Sequence, residues 1–193
     1  LSILPNGHLL YLSNYNKVTE IRLTGEIVRQ WHAAKHPNNG NPLDVSSESI
    51  PVHVETFHHE IIQVPNGNYM TLSTEMRTVN NFPKDPTNPK SQKVKANIIG
   101  DVVVEFQPDG KIVNQWKLLD LLDPNRYGYS SGGPYWDSKG YGHVQGGTKD
   151  RDHANSLRYD QSNDSIIVSV RHQDAVVKIS RQTGDLVWIL GPH

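Results

Sequence analysis

The chain has 193 residues, 35% of them apolar, with 19 basic and 20 acidic side chains and a formal net charge of −1. That length suffices for one domain with a real core, and the even mixture of charge argues against nucleic acid or an anionic membrane surface as a partner. Cysteine is absent, which excludes disulfides and thiolate metal sites, and no apolar run approaches the roughly 20 residues of a membrane helix.

Residues Leu1-Ser2-Ile3-Leu4-Pro5-Asn6-Gly7 open the chain as strand and turn, and Trp188-Ile189-Leu190-Gly191-Pro192-His193 close it just after another strand. No signal peptide is read, and the strand-like ends give the expectation of a piece of a longer chain; the alternative is a whole small β domain.

Short runs of Val, Ile, Leu and Tyr bounded by Gly, Asn, Asp and Pro predict strands throughout. The runs repeat. Leu4 to Ser13 matches Val64 to Ser73, each a strand, an Asn-Gly turn and a strand, and Tyr159 to Ser169 holds the same place in a third unit. A second hairpin follows each first one: Val18 to Trp31, Val102 to Trp116, and Ala175 to Trp188, each turning on a glycine. The unit is four antiparallel strands, present about three times, which is the pattern of propeller blades that bury their faces on one another. The predicted fold is therefore all-β, a β-propeller with blades over roughly 1–57, 58–152 and 153–193. A β-sandwich built from hairpins is the alternative.

Three segments interrupt the repeats. Residues 32–57 and 78–97 are rich in Pro, Asn and Ser and read as loops. In residues 117–152, Lys117 to Asp123 suggests one or two helical turns stopped by Pro124. A stretch of glycines and aromatics follows, from Gly128 to His143, placed either to cover a channel mouth and stack on an aromatic ligand or to pack on the neighbouring blade.

Ten histidines are present, unevenly placed. His58-His59-Glu60 precedes the first strand of the second unit, and Asp152-His153-Ala154-Asn155-Ser156 holds the same place in the third. First strands line a propeller's channel, so these histidines should converge. Strand alternation places His58 with Glu60 and His153 with Asn155, and turns His59 away unless a bulge re-aims it; His58 is the preferred channel residue. Arg171 closes the second strand of the third unit, where its guanidinium suits an anion with several oxygens. Two histidines and an arginine around one space describe a site for a transferring phosphoryl or sulfuryl group. Ligation of zinc or iron by His58, His153 and Glu60 is a rival, although no HxH or HxxxH spacing supports it.

The run from Asp152 to Leu157, the later Ser169-Val170-Arg171-His172-Gln173-Asp174, and Thr183 to Gly191 resemble the bacterial arylsulfate sulfotransferase family, as do His58-His59-Glu60 and Pro65 to Asn68. The resemblance implies a six-bladed propeller. It implies transfer of sulfuryl from a phenolic sulfate ester to a phenol, without a nucleotide donor or cofactor, in ping-pong fashion through a sulfated histidine. It implies that His153 contacts the sulfuryl or phenolic oxygen, that Arg171 holds the sulfuryl oxygens, that His58 or His59 helps proton transfer, and that Asn155 orients the site. It places the sulfated histidine beyond His193, leaves no metal in the site, and suggests a homodimer working in the periplasm or outside the cell. On that expectation the isolated chain is inactive. Two other readings remain at this stage: a binding module for an aromatic or anionic ligand, distinguished by a later blade lacking a channel histidine, and a metal-dependent hydrolase, distinguished by bound metal.

Overall fold

The repeated hairpins fold into three sheets that share their faces. A computed structural model describes residues 1–85, 88, 90–123, 126–128 and 131–192. The first sheet runs in chain order through β1 (Ser2–Ile3), β2 (Leu9–Ser13), β3 (Lys17–Ile21), β4 (Ile27–Ala33) and β5 (Ile50–Val52). In the second, β6 (His58–Gln63), β7 (Tyr69–Pro83), β8 (Lys93–Phe106) and β10 (Thr148–Asp150) are neighbours in that order, and β9 (Ile112–Lys117) also pairs with β8. The third contains β11 (Ala154–Asp160), β12 (Ser165–Val170), β13 (Ala175–Ser180) and β14 (Leu186–Leu190). Pairing is antiparallel except where β5 joins β4 and β10 joins β8.

The residues between the repeats are more ordered than their composition suggests. Within 78–97, expected as a loop, residues 78–83 and 93–97 instead extend the β7–β8 hairpin to Pro83 and Lys93. Val79, Phe82, Ala96 and Ile98 form a small apolar cluster with Leu119 and Tyr127, so the extension has its own buried contacts. The segment 32–57 contains β5 and a 3₁₀ turn, Asn38–Gly40. The helical prediction after Lys117 reduces to one turn, α1 (Leu118–Leu121), with Leu118 and Leu119 buried; Pro124 lies outside the described residues. No helix among the described residues is long and apolar enough to cross a membrane.

The second sheet is packed on both faces, which follows from side-chain alternation along its central strands. Val102 and Val104 join a core with Leu10, Val18, Trp31 and Phe57 of the preceding segment, while Val103 between them joins a core with Leu157, Ile166, Val168 and Val177 of the third sheet. Tyr69 and Met70 split in the same way. Trp31 and Trp116, which end corresponding hairpins, are both buried, whereas Trp188 at the same place in the third sheet is 39% exposed beside exposed Val187 and Leu190.

A polar repeat lies under the apolar one. Glu20 pairs across to Leu10 and Glu105 across to Met70, at corresponding positions, and both are buried. Asn66 and Asn68 of the Asn-Gly turn donate to Glu105 at 3.2 and 2.6 Å, as Asn6 donates to Glu20 at 3.5 Å. In the third sheet the charges are exchanged, and Lys178 pairs with Asp160 of its turn at 2.8 Å. Arg181, just past β13, grips Glu105 with Nε and Nη2, both at 2.8 Å, tying the third sheet to the second. Replacing Arg181 by Met should lower unfolding stability by about 2 kcal/mol, because a buried carboxylate loses two charge-assisted hydrogen bonds. Urea denaturation measures it.

Candidate functional site

Residues 150–153 carry the chain from β10 to β11, and all of them are buried. Arg151, without solvent exposure, pairs with Asp152 and donates to the carbonyl of Asp123. Its own carbonyl accepts from Gln173 Nε2 at 2.8 Å. The Asp101 main-chain N–H donates to Asp152 Oδ2 at 3.1 Å, and the Ala154 N–H donates back to Asp101 Oδ2. This reciprocal pair clamps the start of β11 against the middle of β8. Burial pushes both carboxyls up, Asp101 to about 8 and Asp152 to about 6, with Arg151 opposing the rise at Asp152.

The clamp fixes an unusual backbone. His153 has φ 50° and His59 has φ 57°, both left-handed, beside register shifts between Ala154 and Ser156 and between His58 and Ile61. Left-handed backbone at a non-glycine residue costs energy and persists where the surroundings over-determine it. The bulge re-aims His59, so the two left-handed histidines meet with ring centroids 5.2 Å apart. The expectation that His58 faces the channel is thereby corrected: His58 is 1% exposed, while His59 is exposed and forms the contact with His153.

His58 instead supports His59. Its Nε2 lies 3.1 Å from the Ser73 carbonyl and 3.1 Å from Asp101 Oδ1, and its Nδ1 lies 2.8 Å from His59 Nδ1. A carbonyl only accepts, so His58 Nε2 carries the proton and its Nδ1 a lone pair. His59 Nδ1 therefore donates to His58, and the Nε2 of neutral His59 keeps a lone pair. Full burial of the His58 ring, and partial desolvation of the His59 ring where it lies against its neighbours, hold both well below the usual histidine range, at about 4, with His58 acting in the same direction on His59.

The remaining walls are aromatic and basic. His153 Nδ1 lies 2.5 Å from Asp150 Oδ2, its ring stacks on His172 at 4.7 Å, and Tyr135 meets it edge-on at 4.7 Å. Tyr135 also shares a 2.6 Å hydrogen bond with Tyr15, and burial pushes its hydroxyl pKa up. Trp136, fully buried, sits edge-on to His58 at 5.1 Å. A cavity of about 300 Å³ opens beside His58 and His59, with Leu12, Tyr15 and Phe57 in its wall. Arg171, exposed at the start of the 3₁₀ turn Arg171–Gln173, bonds its main-chain N–H to the His153 carbonyl at 3.2 Å. Its charge acts on His59, Tyr135 and His172, and among the described residues its guanidinium makes no hydrogen bond.

His58, His59 and His153 lie ring beside ring, and Arg171 is joined to His153 through its main chain. Asn155 lies at the bulge of β11, exposed. Glu60 is elsewhere: it accepts from Ser156 Oγ at 3.1 Å, from the Leu157 N–H at 2.8 Å, and from Arg158, joining the second sheet to the third. The metal set of His58, His153 and Glu60 is therefore not assembled. One other set, Asp150, His153 and His172, has ligand atoms within 4.8 Å of one another among the described residues. A metal there would displace the proton between Asp150 and His153.

Sequence reasoning missed Asp101, Asp150 and Tyr15. Asp101 had a signal, a carboxylate inside the apolar run from Ile98 to Val104. Asp150 had none, since Lys149-Asp150-Arg151-Asp152 reads as a solvated loop.

The depressed histidines have a pH consequence. Their folded pKa values, about 4, lie below the ordinary 6.5, so their stabilising contribution is present above pH 6.5 and lost as pH falls through about 4. Asp101 acts in the opposite sense, its contribution present in acid and lost as pH rises through about 8. The ring-carbon NMR signals of His58 and His59 should not titrate between about pH 8 and about pH 5. The unfolding temperature of wild type should fall more steeply below pH 6.5 than that of His59→Gln, as calorimetry measures.

Comparison with known proteins bears on this site. The chain is 30% identical over 158 residues to the arylsulfate sulfotransferase AssT of Escherichia coli O6:H1 (strain CFT073), an alignment covering 69% of this chain and 24% of that protein. It is 28% identical over 127 residues to the arylsulfate sulfotransferase AssT of Lelliottia amnigena, covering 53% of this chain and 20% of the relative. The alignments therefore span about a quarter or less of the length of the curated relatives. The family model described as Arylsulfotransferase (ASST) matches residues 1–193, and the chain belongs to that family.

Proposed function

We propose that this chain supplies part of the active site of an arylsulfate sulfotransferase, which moves a sulfuryl group from a phenolic sulfate ester to a phenol acceptor. The observation that carries the reading is the contact of His59 with His153 beside Tyr135, with Arg171, whose guanidinium bonds to no described residue, hydrogen-bonded through its main chain to His153. Family membership supports sulfuryl transfer as the chemistry.

In this reading Arg171 holds the sulfuryl oxygens and offsets their charge, since its fork of donors matches them. Tyr15 and Tyr135 offer surfaces to a phenol ring. His153 exchanges protons with the phenolic oxygens, His59 assists, and Asn155 orients the group. When the donor's O–S bond breaks, sulfur bonds to a histidine that we place beyond residue 193, and the departing phenolate takes a proton from the His153 imidazolium. In the second half the acceptor's proton passes to His153 as its oxygen bonds to sulfur and the N–S bond breaks. No cofactor enters this cycle, and ping-pong kinetics follow.

The three sheets are proposed to be successive blades of a β-propeller, six-bladed as the family resemblance implies. Shared cores between consecutive sheets support this, as do the exposed Trp188 and Leu190 on one face of the last strand, suited to a further blade. A periplasmic or extracellular homodimer is the form proposed from the same resemblance.

The complete parent protein should transfer sulfuryl from p-nitrophenyl sulfate to phenol, followed by release of nitrophenol. His153→Ala and Arg171→Ala should each lower kcat by about 100-fold or more. Unchanged kcat in either variant refutes that residue's role, and absence of transfer by wild type refutes the reading.

A further inference from the structure

We infer that Asp150 is the positioning residue for His153, fixing its proton on Nδ1 so that Nε2 is the nitrogen that meets substrate. This rests on the proposed sulfuryl-transfer reading for its kinetic consequence, though not for the tautomer itself.

Asp150 is built into the protein for this task. Its side chain is fully buried, and its main chain is held on both sides: its N–H donates to the Gly133 carbonyl at 2.9 Å, and its carbonyl accepts from the Gly132 N–H at 2.8 Å. Pairing of Asp150 with Ile99 fixes its place along β8. The two carboxylate oxygens have separate duties. Oδ1 accepts from Trp136 Nε1 at 3.1 Å, and Oδ2 meets His153 Nδ1 at 2.5 Å. Indole N–H only donates, so it locks the rotation of the carboxylate. The ionised carboxylate only accepts, so the proton of neutral His153 resides on Nδ1 and the lone pair on Nε2. Nε2 makes no hydrogen bond to a described residue. When Nε2 takes a proton, the same carboxylate faces the resulting imidazolium.

His172 stands next to this pair and faces the same carboxylate. Its Nδ1 is buried with no hydrogen-bond partner among the described residues and lies 3.6 Å from Asp150 Oδ2, beyond hydrogen-bond range. Its ring stacks on His153 and fixes the plane in which His153 lies. Asp150, Trp136 and His172 together leave His153 one orientation and one tautomer.

The arrangement makes Asp150→Asn informative. An amide has a single acceptor oxygen. Trp136 Nε1–H claims it, so the amide NH₂ turns to His153 Nδ1, which must then accept, and the proton moves to Nε2. In the complete protein, ¹⁵N NMR of the histidine side chains should show a protonated Nδ1 for His153 in wild type and a protonated Nε2 in Asp150→Asn. Sulfuryl transfer by that variant should fall about 100-fold in kcat with KM changed little. Adding Trp136→Phe frees the amide to turn its carbonyl to His153, and this double variant should recover the Nδ1–H tautomer and part of kcat. A merely structural Asp150 would give no such recovery.

The inference is overturned if wild-type His153 carries its proton on Nε2, if Asp150→Asn leaves tautomer or kcat unchanged, or if the double variant recovers neither. A metal ion bound through His153 Nδ1 in the purified protein also overturns it. If wild type transfers no sulfuryl group, the functional reading fails while the NMR comparison still decides the tautomer. Should Asp150→Asn lose its far-UV circular dichroism, the wild-type NMR spectrum alone decides between the two tautomers.

Discussion

Four consecutive buried residues, Asp150 to His153, join the second sheet to the third, and the candidate site depends on how they are held. Four buried ionisable side chains in a row cannot stay out of water unless each finds a partner. Arg151 and Asp152 find each other, Asp152 also reaches the backbone of β8, and Asp150 is divided between Trp136 and His153. Each of these bonds constrains the backbone, and the sum holds His153 in a left-handed conformation that it would not adopt alone.

The same logic extends outward. Asp101 lies in the middle of a strand whose neighbours are apolar, and it secures the first residue of β11 while contacting His58. His58 in turn donates to a carbonyl and accepts from His59. The site is therefore a thin layer of exposed groups, His59 and Arg171, backed by a buried polar network, with His153 between the two. Removing a backing residue leaves another group buried without its partner, which costs more than the contact contributed. That asymmetry explains why the polar network sits inside the apolar packing of three sheets rather than on a surface loop.

Packing sets the distance between the sheets. The period-two pattern of β7 and β8 sends alternate residues into two different cores, so the second sheet is a shared wall. Glu60 and Glu105 then add polar ties from that wall to the third sheet. These ties keep β6 and β11 side by side, and the bulges that open each strand place His59 and His153 ring to ring.

Much of the strand order was legible in the sequence, because hairpin repeats depend on local signals. Asn-Gly and Gly turns, alternation and the recurring Trp are written in adjacent residues, and they located β2 to β4, β6 to β9 and β11 to β14. The resemblance singled out His153, Arg171 and the His58-His59 pair for the same reason, since each sits in a short run. The sequence left open which histidine of that pair faces the site, and alternation pointed to the wrong one, because a bulge reverses facing without a reliable local signature. Residues 78–83 and 93–97 were misread because polar residues on an exposed hairpin resemble a loop until their partners across the strand are known.

By itself, then, the sequence determined the all-β class, the repeat and the residue types available for chemistry, all of which are set by neighbours in the chain. Tertiary structure alone decided that Asp150 meets His153, that Asp101 backs His58, and that Glu60 turns away to the third sheet. Asp101 lies 53 residues from Ala154, and Glu60 lies 97 from Leu157. Contacts of that reach depend on burial and register, which no local pattern encodes.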